Sequence, residues 1–183
     1  MLEKLFFAVI FVISVHTVSG AKRPFNLELQ SPRCNRSADV VKMCDCIIYR
    51  LGKNRYSSNA WFELNRQLHS NAEVAVTLYY NLAKSDRIVK FIDVKMKTCD
   101  IMSSLQRLPL MRDILTEMRR HSNFPLGCPF KGNVVYNLSN LIITKEIVPP
   151  YASTVNFNIS IKFYEHQIQI GYYNLSGATV PRS

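Results

Sequence analysis

The chain has 183 residues with a formal charge of +10, long enough for one domain that buries its own core without help from disulfides. Its Lys and Arg residues are scattered, with no run of five or more, so the charge reads as a solvated basic surface rather than a polyanion-binding tract. No internal repeat or low-complexity segment interrupts it.

The N-terminus begins Met-Leu-Glu-Lys, runs apolar from Leu5 to Val15 and reaches small residues at Val18-Ser-Gly-Ala21. A charged start, a short apolar stretch and a small-residue cleavage site predict a secretory signal peptide over residues 1–21. The apolar run falls short of the roughly 20 residues of a spanning helix. No later segment is apolar enough to span a bilayer, so the mature chain, 22–183, is expected to be a single secreted extracellular domain with no transmembrane segment. Secretion argues against nucleic acid as a partner. Sequons at Asn35, Asn137, Asn158 and Asn174, none interrupted by proline, predict glycosylation in that compartment.

Beyond the leader most segments read as strands. Val40 to Arg50 and Asn59 to Leu68 are weak candidates, and Ala72 to Tyr80 places Val74, Val76, Leu78 and Tyr80 on one face. Ile88 to Lys97 is similar. Pro109 to His121 changes period: Met111, Ile114, Leu115 and Met118 recur at helical spacing, with Arg112, Arg119 and Arg120 on the other positions. One amphipathic helix is therefore predicted within an insertion of about 104–121. A rigid connector follows, held by Pro125 and Pro129, and then a candidate strand from Gly132 to Thr144.

The clearest strand is Thr154 to Tyr164. Val155, Phe157, Ile159, Ile161 and Phe163 alternate with polar residues, the pattern of an antiparallel strand with one dry face. Parity puts Asn158 on the wet face, where a glycan must be. A turn at Glu165-His-Gln167 leads into a last strand through Ile168, Ile170 and Tyr172, making a hairpin. Seven or so strands predict a mainly β protein, an immunoglobulin-like antiparallel β-sandwich with one inserted helix.

Five cysteines in an oxidising compartment imply a disulfide framework with one thiol left over. Cys99 ends a strand and Cys128 sits in the proline-held connector, so a Cys99–Cys128 bridge would clamp the helical insertion at both ends. Cys34 is expected to pair with Cys44 or Cys46. Those two share a strand face, and parity does not choose between them.

The run Ser122-Asn-Phe-Pro-x-x-Cys-Pro-Phe130, then Pro149-Pro-Tyr151 and Asn156-Phe-x-x-x-x-Phe-Tyr164, with Asp93 and Thr98-Cys99 upstream, resembles a large insect family of secreted proteins of unknown function. That family includes the CheB-type chemosensory proteins and is similar to the ML lipid-recognition superfamily. The resemblance spans roughly residues 30 to 175 and is closest from 91 to 164. It implies an ML-like β-sandwich that opens between its sheets to hold a lipid. Asp100-Ile-Met102 departs from the pattern, since an aromatic often follows the first of these cysteines in the family. A third N-terminal cysteine is a second departure.

No catalytic motif is present. His69, His121 and His166 show no metal-ligand spacing, and Glu63 and Asp93 lie in strand-like segments where outward charge is the common outcome. No metal, cofactor or enzymatic activity is expected. The expected ligand is a hydrophobic small molecule, a lipid or hydrocarbon pheromone, lined by Phe91, Met96, Met111, Leu115, Met118, Val155, Phe157, Ile159, Ile161 and Phe163. The alternative is a closed protein–protein module, a cofactor of a membrane receptor or channel, using Arg112, Arg119 and Arg120.

Overall fold

The computed structural model describes residues 23–82, 85, 87–101, 116–125, 128–148 and 154–182. The expected signal peptide and most of the predicted helix, including Met111, Arg112 and Leu115, lie outside the described residues. Of the helix, residues 116–120 are described and are helical, with Met118 half-buried and Arg119 and Arg120 exposed.

Among the described residues nine strands form two antiparallel sheets. In chain order they are β1 (Phe25–Leu29), β2 (Arg33–Arg36), β3 (Val41–Gly52), β4 (Arg55–Leu64), β5 (Glu73–Leu82), β6 (Val89–Lys97), β7 (Val135–Thr144), β8 (Val155–Glu165) and β9 (Ile168–Pro181). The larger sheet runs β1-β9-β8-β5-β6, and the smaller β3-β4-β7. β1 and β2 share one edge of β9: β1 lies along Gly177 to Pro181 and β2 along Gly171 to Asn174. The fold is a mainly β sandwich of two antiparallel sheets, as the alternation predicts.

Alternation also decides the faces. Val74, Val76, Leu78 and Tyr80 of β5 stand opposite Phe163, Ile161, Ile159 and Phe157 of β8. On the other side of β8, Ile161, Ile159 and Phe157 meet Tyr173, Leu175 and Gly177 of β9. These rows form one apolar face looking at the smaller sheet. Opposite it lie Cys44, Cys46, Ile48 and Arg50 of β3, paired with Phe62, Ala60, Ser58 and Tyr56 of β4.

One end of the sandwich is closed by a packed core. Val40, Val41, Leu64, Leu68, Ala72, Tyr136 and Ile170 are buried there, with Phe62, Phe124, Phe130 and Phe163 against them. The rings of Phe62 and Tyr136 stack at 5.2 Å, and Phe130 meets Tyr136 edge-on at 5.1 Å. Further along, burial pushes the pKa of the Tyr173 phenol up, against the opposing effect of Ser58.

Two disulfides fasten this frame. Cys99 and Cys128 are joined across a sequence separation of 29, with Cα atoms 5.4 Å apart. Cys34 of β2 is joined to Cys46 of β3, Cα atoms 6.1 Å apart, tying the larger sheet to the smaller. By the chain-entropy estimate each closure is worth about 3–4 kcal/mol. Of the two candidates for Cys34, Cys46 is therefore the partner and Cys44 is free. The reason is position along the chain rather than parity: Cys34 and Cys46 are equidistant from Val40, at the bend between β2 and β3. Cys44 instead falls level with Arg36 and packs on the closed core. Burial and the Asp45 carboxylate raise its pKa, against the opposing Arg36, so the thiol is protonated at neutral pH.

The described strands differ from the sequence reading at their ends. β1 and β2 lie before the first predicted strand, β4 begins at Arg55 rather than Asn59, and β7 begins at Val135. β3 and β4 form a hairpin whose turn contains Asn54 with φ of 61°.

Two measurements follow from this packing. A methyl group at Gly177 would come within 2.5 Å of Phe157 Cζ and 2.7 Å of the Glu28 carbonyl oxygen, whereas at Gly52 nothing lies within 4 Å. Gly177→Ala should lower the unfolding free energy by about 1–3 kcal/mol, and Gly52→Ala should change it by less than about 0.5 kcal/mol, read from urea midpoints. In mass spectrometry, non-reduced native protein should resist iodoacetamide at neutral pH and take up a single label, on Cys44, once unfolded. Labelling of Cys46 would contradict the bridge.

Candidate functional site

The apolar face of the larger sheet is covered unevenly. Val155, Phe157, Ile159, Ile161 and Phe163 all look inward, yet each is only half-buried, as are Val76, Leu78, Ile92, Val94 and Met96. Val74 and Leu175 on the same face are buried at 3% and 6% exposure, and Phe163 packs against the closed core, so the cover is uneven rather than absent. The structure thus brings together six of the expected lining residues, Met96 and the five of β8, on one continuous face.

Phe91 does not join them. It is 65% exposed. A bulge between Leu78 and Tyr79 in the β5–β6 ladder leaves Phe91 without a register partner. Its ring instead rests edge-on against Tyr80 at 6.1 Å. Alternation itself puts Phe91 outside: it has the opposite parity to Ile92, Val94 and Met96, so it could not line the same face as Met96.

At the end of the sandwich away from the closed core, Phe25, Leu27 and Tyr56 are buried where β1 of the larger sheet meets the β3–β4 hairpin of the smaller, and clefts flank that contact. β1 forms one lip and the β3–β4 hairpin the other. A cleft of about 300 Å³ is lined by Glu28, Leu29, Ser31, Ile48, Arg50 and Tyr56. A second of about 300 Å³ adjoins it and shares Glu28 and Arg50, with Asn26, Leu27, Lys53 and Asn54 completing its wall. Leu29, Ile48, Arg50 and Tyr56 all start from inward-facing positions, so the first cleft is the opening between the sheets. The lips are stitched at single points. Asn54 Oδ1 accepts from the Leu27 N–H (2.6 Å), Asn54 Nδ2 donates to Asn26 Oδ1 (3.1 Å), and the Tyr56 hydroxyl donates to the Leu27 carbonyl (3.2 Å).

Sequence reasoning missed this opening because its walls come from segments far apart in the chain. The alternation Phe25, Leu27, Leu29 was the available signal, and it covers only five residues. The opening is built by β1 and the β3–β4 hairpin, whereas Phe124 and Phe130 of the connector pack against the closed core at the other end.

The outer face of the larger sheet carries two of the sequons, paired to each other. Asn158 lies opposite Ser176 and Ser160 opposite Asn174. Asn158 Nδ2 donates to Ser176 Oγ at 2.8 Å, and the buried Asn174 Oδ1 has no hydrogen-bond partner. Asn35 is exposed on β2, and Asn137 is half-buried on β7.

The carboxylates noted in the sequence are engaged in ion pairs. Glu63 takes Lys42 at 2.8 Å, and Asp93 takes Lys90 at 2.8 Å. The most enclosed carboxylate is Glu165, whose side chain is 3% exposed. It accepts two hydrogen bonds from Arg66 (3.0 and 2.5 Å) and one from the His69 N–H (2.8 Å). The Arg66 guanidinium holds its pKa below the usual carboxylate range against the opposing effect of burial. His69 and His166 meet edge-on beside it at 4.7 Å. This cluster ties the β8–β9 turn to the loop after β4, a structural duty. Among the described residues no group of three or more His, Cys, Asp or Glu side chains is placed to hold a metal.

The molecule is therefore defined as a disulfide-linked antiparallel β-sandwich with clefts at one end beside an unevenly covered apolar face. Residues 74–159, which span β5, β6, β7 and the start of β8, match the family described as "Protein of unknown function (DUF1091)". No curated protein matches the chain. Among solved structures, a crystal structure of a protein from Archaeoglobus fulgidus aligns over 78% of this chain and 98% of that chain, at 8% identity and a TM-score of 0.27. A likeness that distant carries no argument here. Among the described residues no helix is long and apolar enough to cross a membrane.

Because the Glu165 pKa is lowered in the folded state, the stability it contributes is present above the unfolded value, near 4.3, and is lost as pH falls through the folded value. Arg66→Ala should therefore cost about 1.5–3 kcal/mol at pH 7, the range for hydrogen bonds to a charged group, with the difference from wild type shrinking as pH falls below about 4. Urea titrations of both proteins across that range give the answer.

Proposed function

We infer that this is a secreted, non-enzymatic carrier that holds a hydrophobic small molecule, a lipid or a hydrocarbon pheromone, between its two sheets. The observation that carries the reading is the pairing of an opening between the sheets with an apolar face whose five β8 residues are all only half-buried. Close-packed interiors rarely leave so long an aliphatic and aromatic row without full cover, and ligand sites characteristically do. The leader-like N-terminus, the four sequons and the disulfides support an extracellular setting. The resemblance to CheB-type and ML-like proteins supports a lipid ligand and a chemosensory role.

A second reading, an extracellular module docking on a receptor or channel, has its own observation. On the outer face of β3, Met43, Ile47, Tyr49 and Leu51 are 41%, 37%, 52% and 54% exposed and stand in one row. With the exposed Arg119 and Arg120, this row would offer a partner both apolar and basic contacts.

Native mass spectrometry with organic extraction, on protein from a eukaryotic secretory host, separates the two. The carrier reading expects a lipid or long-chain hydrocarbon at near one-to-one stoichiometry, lost in a folded Phe157→Arg or Met118→Arg variant. An empty protein that ignores a panel of fluorescent lipids would overturn it in favour of the docking module.

A further inference from the structure

The charges at the opening are arranged as a head-group site. Arg50 starts from the inward face of β3, opposite Tyr56, is nevertheless exposed, and lines both clefts. Lys53 stands in the adjoining cleft. Neither cation has a hydrogen-bond or ion-pair partner among the described residues, so both are available to an anionic group. Glu28, which lines both clefts, is the single carboxylate facing them, leaving the mouth with a net positive charge.

Apolar groups continue inward from the same place. Leu29 and Ile48 flank Arg50 in the first cleft, and Leu29 and Phe157 converge over Gly177, since a Cβ there would lie 2.9 Å from Leu29 Cδ2 and 2.5 Å from Phe157 Cζ. Gly177 thus marks where the mouth meets the half-buried face. A ligand that satisfies both parts must carry an oxyanion at one end and a hydrocarbon chain at the other.

We propose that the opening selects an anionic amphiphile, a long-chain carboxylate or phosphate ester, with Arg50 and Lys53 holding the head group and the chain entering over Leu29 toward Phe157. The proposal rests on the carrier reading above and narrows it away from neutral hydrocarbons. A guanidinium holds carboxylate and phosphate oxygens through paired charge-assisted hydrogen bonds, which the neutral ends of alkanes and esters cannot form. Glu28 opposes the head group, so its removal strengthens binding.

The test uses the full secreted chain, stripped of lipid, with cis-parinaric acid and its methyl ester as fluorescent probes. Wild type should bind the acid about tenfold more tightly than the ester. Arg50→Ala should erase that margin by weakening the acid alone, and Glu28→Gln should tighten the acid while leaving the ester unchanged. Both side chains are exposed, so circular dichroism should show both variants folded. Equal binding of acid and ester by wild type, or an unchanged acid affinity in Arg50→Ala, overturns the head-group assignment and leaves the carrier standing. Binding of neither probe overturns both. Displacement of the acid by millimolar inorganic phosphate, with the ester still bound, replaces the amphiphile with a small free oxyanion as the group recognised.

Discussion

The two-residue turn at His166 and Gln167, with φ of 50° and 66°, and the bulge between Phe163 and Tyr164 together set the register of β8 on β9, and most of the molecule's polarity follows from that register. Primed turns of this kind match the right-handed twist of paired strands. Because side chains alternate, a slip of one residue would turn the Val155-to-Phe163 row outward and bury the sequons. Glu165, at the mouth of the turn, is held by Arg66 and the His69 amide, so the register is anchored to the loop after β4 as well as by its own ladder. The charged cluster that looked most like chemistry is thus a fastening for the apolar face.

That face was legible in the sequence because β8 alternates without a break. Its partner strands were legible for the same reason, and the mainly β sandwich followed from counting them. What alternation could not reach was anything decided by a residue out of step. Phe91 was read as lining the interior together with Met96, but the two have opposite parity on β6, and Phe91 faces solvent beside a bulge. Cys44 and Cys46 share a face, and only the place where the chain bends between β2 and β3 separates them. β1 and β2 are short and flanked by Pro24 and Pro32, which leaves too little periodic signal to mark them as strands.

The opening between the sheets was the least accessible feature of all. Leu29, Arg50 and Phe157 belong to three strands with no local sequence relation, and they converge only because β9 carries β1 at one edge and β8 at the other. Its unpaired Arg50 is unremarkable in a chain with 23 Lys and Arg residues. Only the fold distinguishes a cation at a mouth from one on a wall. The exposed row on β3 shows the converse: Met43, Ile47, Tyr49 and Leu51 alternate as well as any core strand, yet face away from the sandwich.

β9 also imposes an order of events on synthesis. Both N-terminal strands leave the ribosome first but find their place only along the last strand to emerge, contacts of long sequence separation that form late in folding. The Cys34–Cys46 loop is local and can close while the chain is still being made, holding β2 near β3 in advance. Asn158 and Asn174, by contrast, become ladder neighbours as soon as β8 meets β9, so any sugar they carry must be attached before that hairpin zips shut. The attachment of any sugar at these two sequons and the completion of the larger sheet thus draw on the same hairpin, and the speed of one sets a time limit for the other.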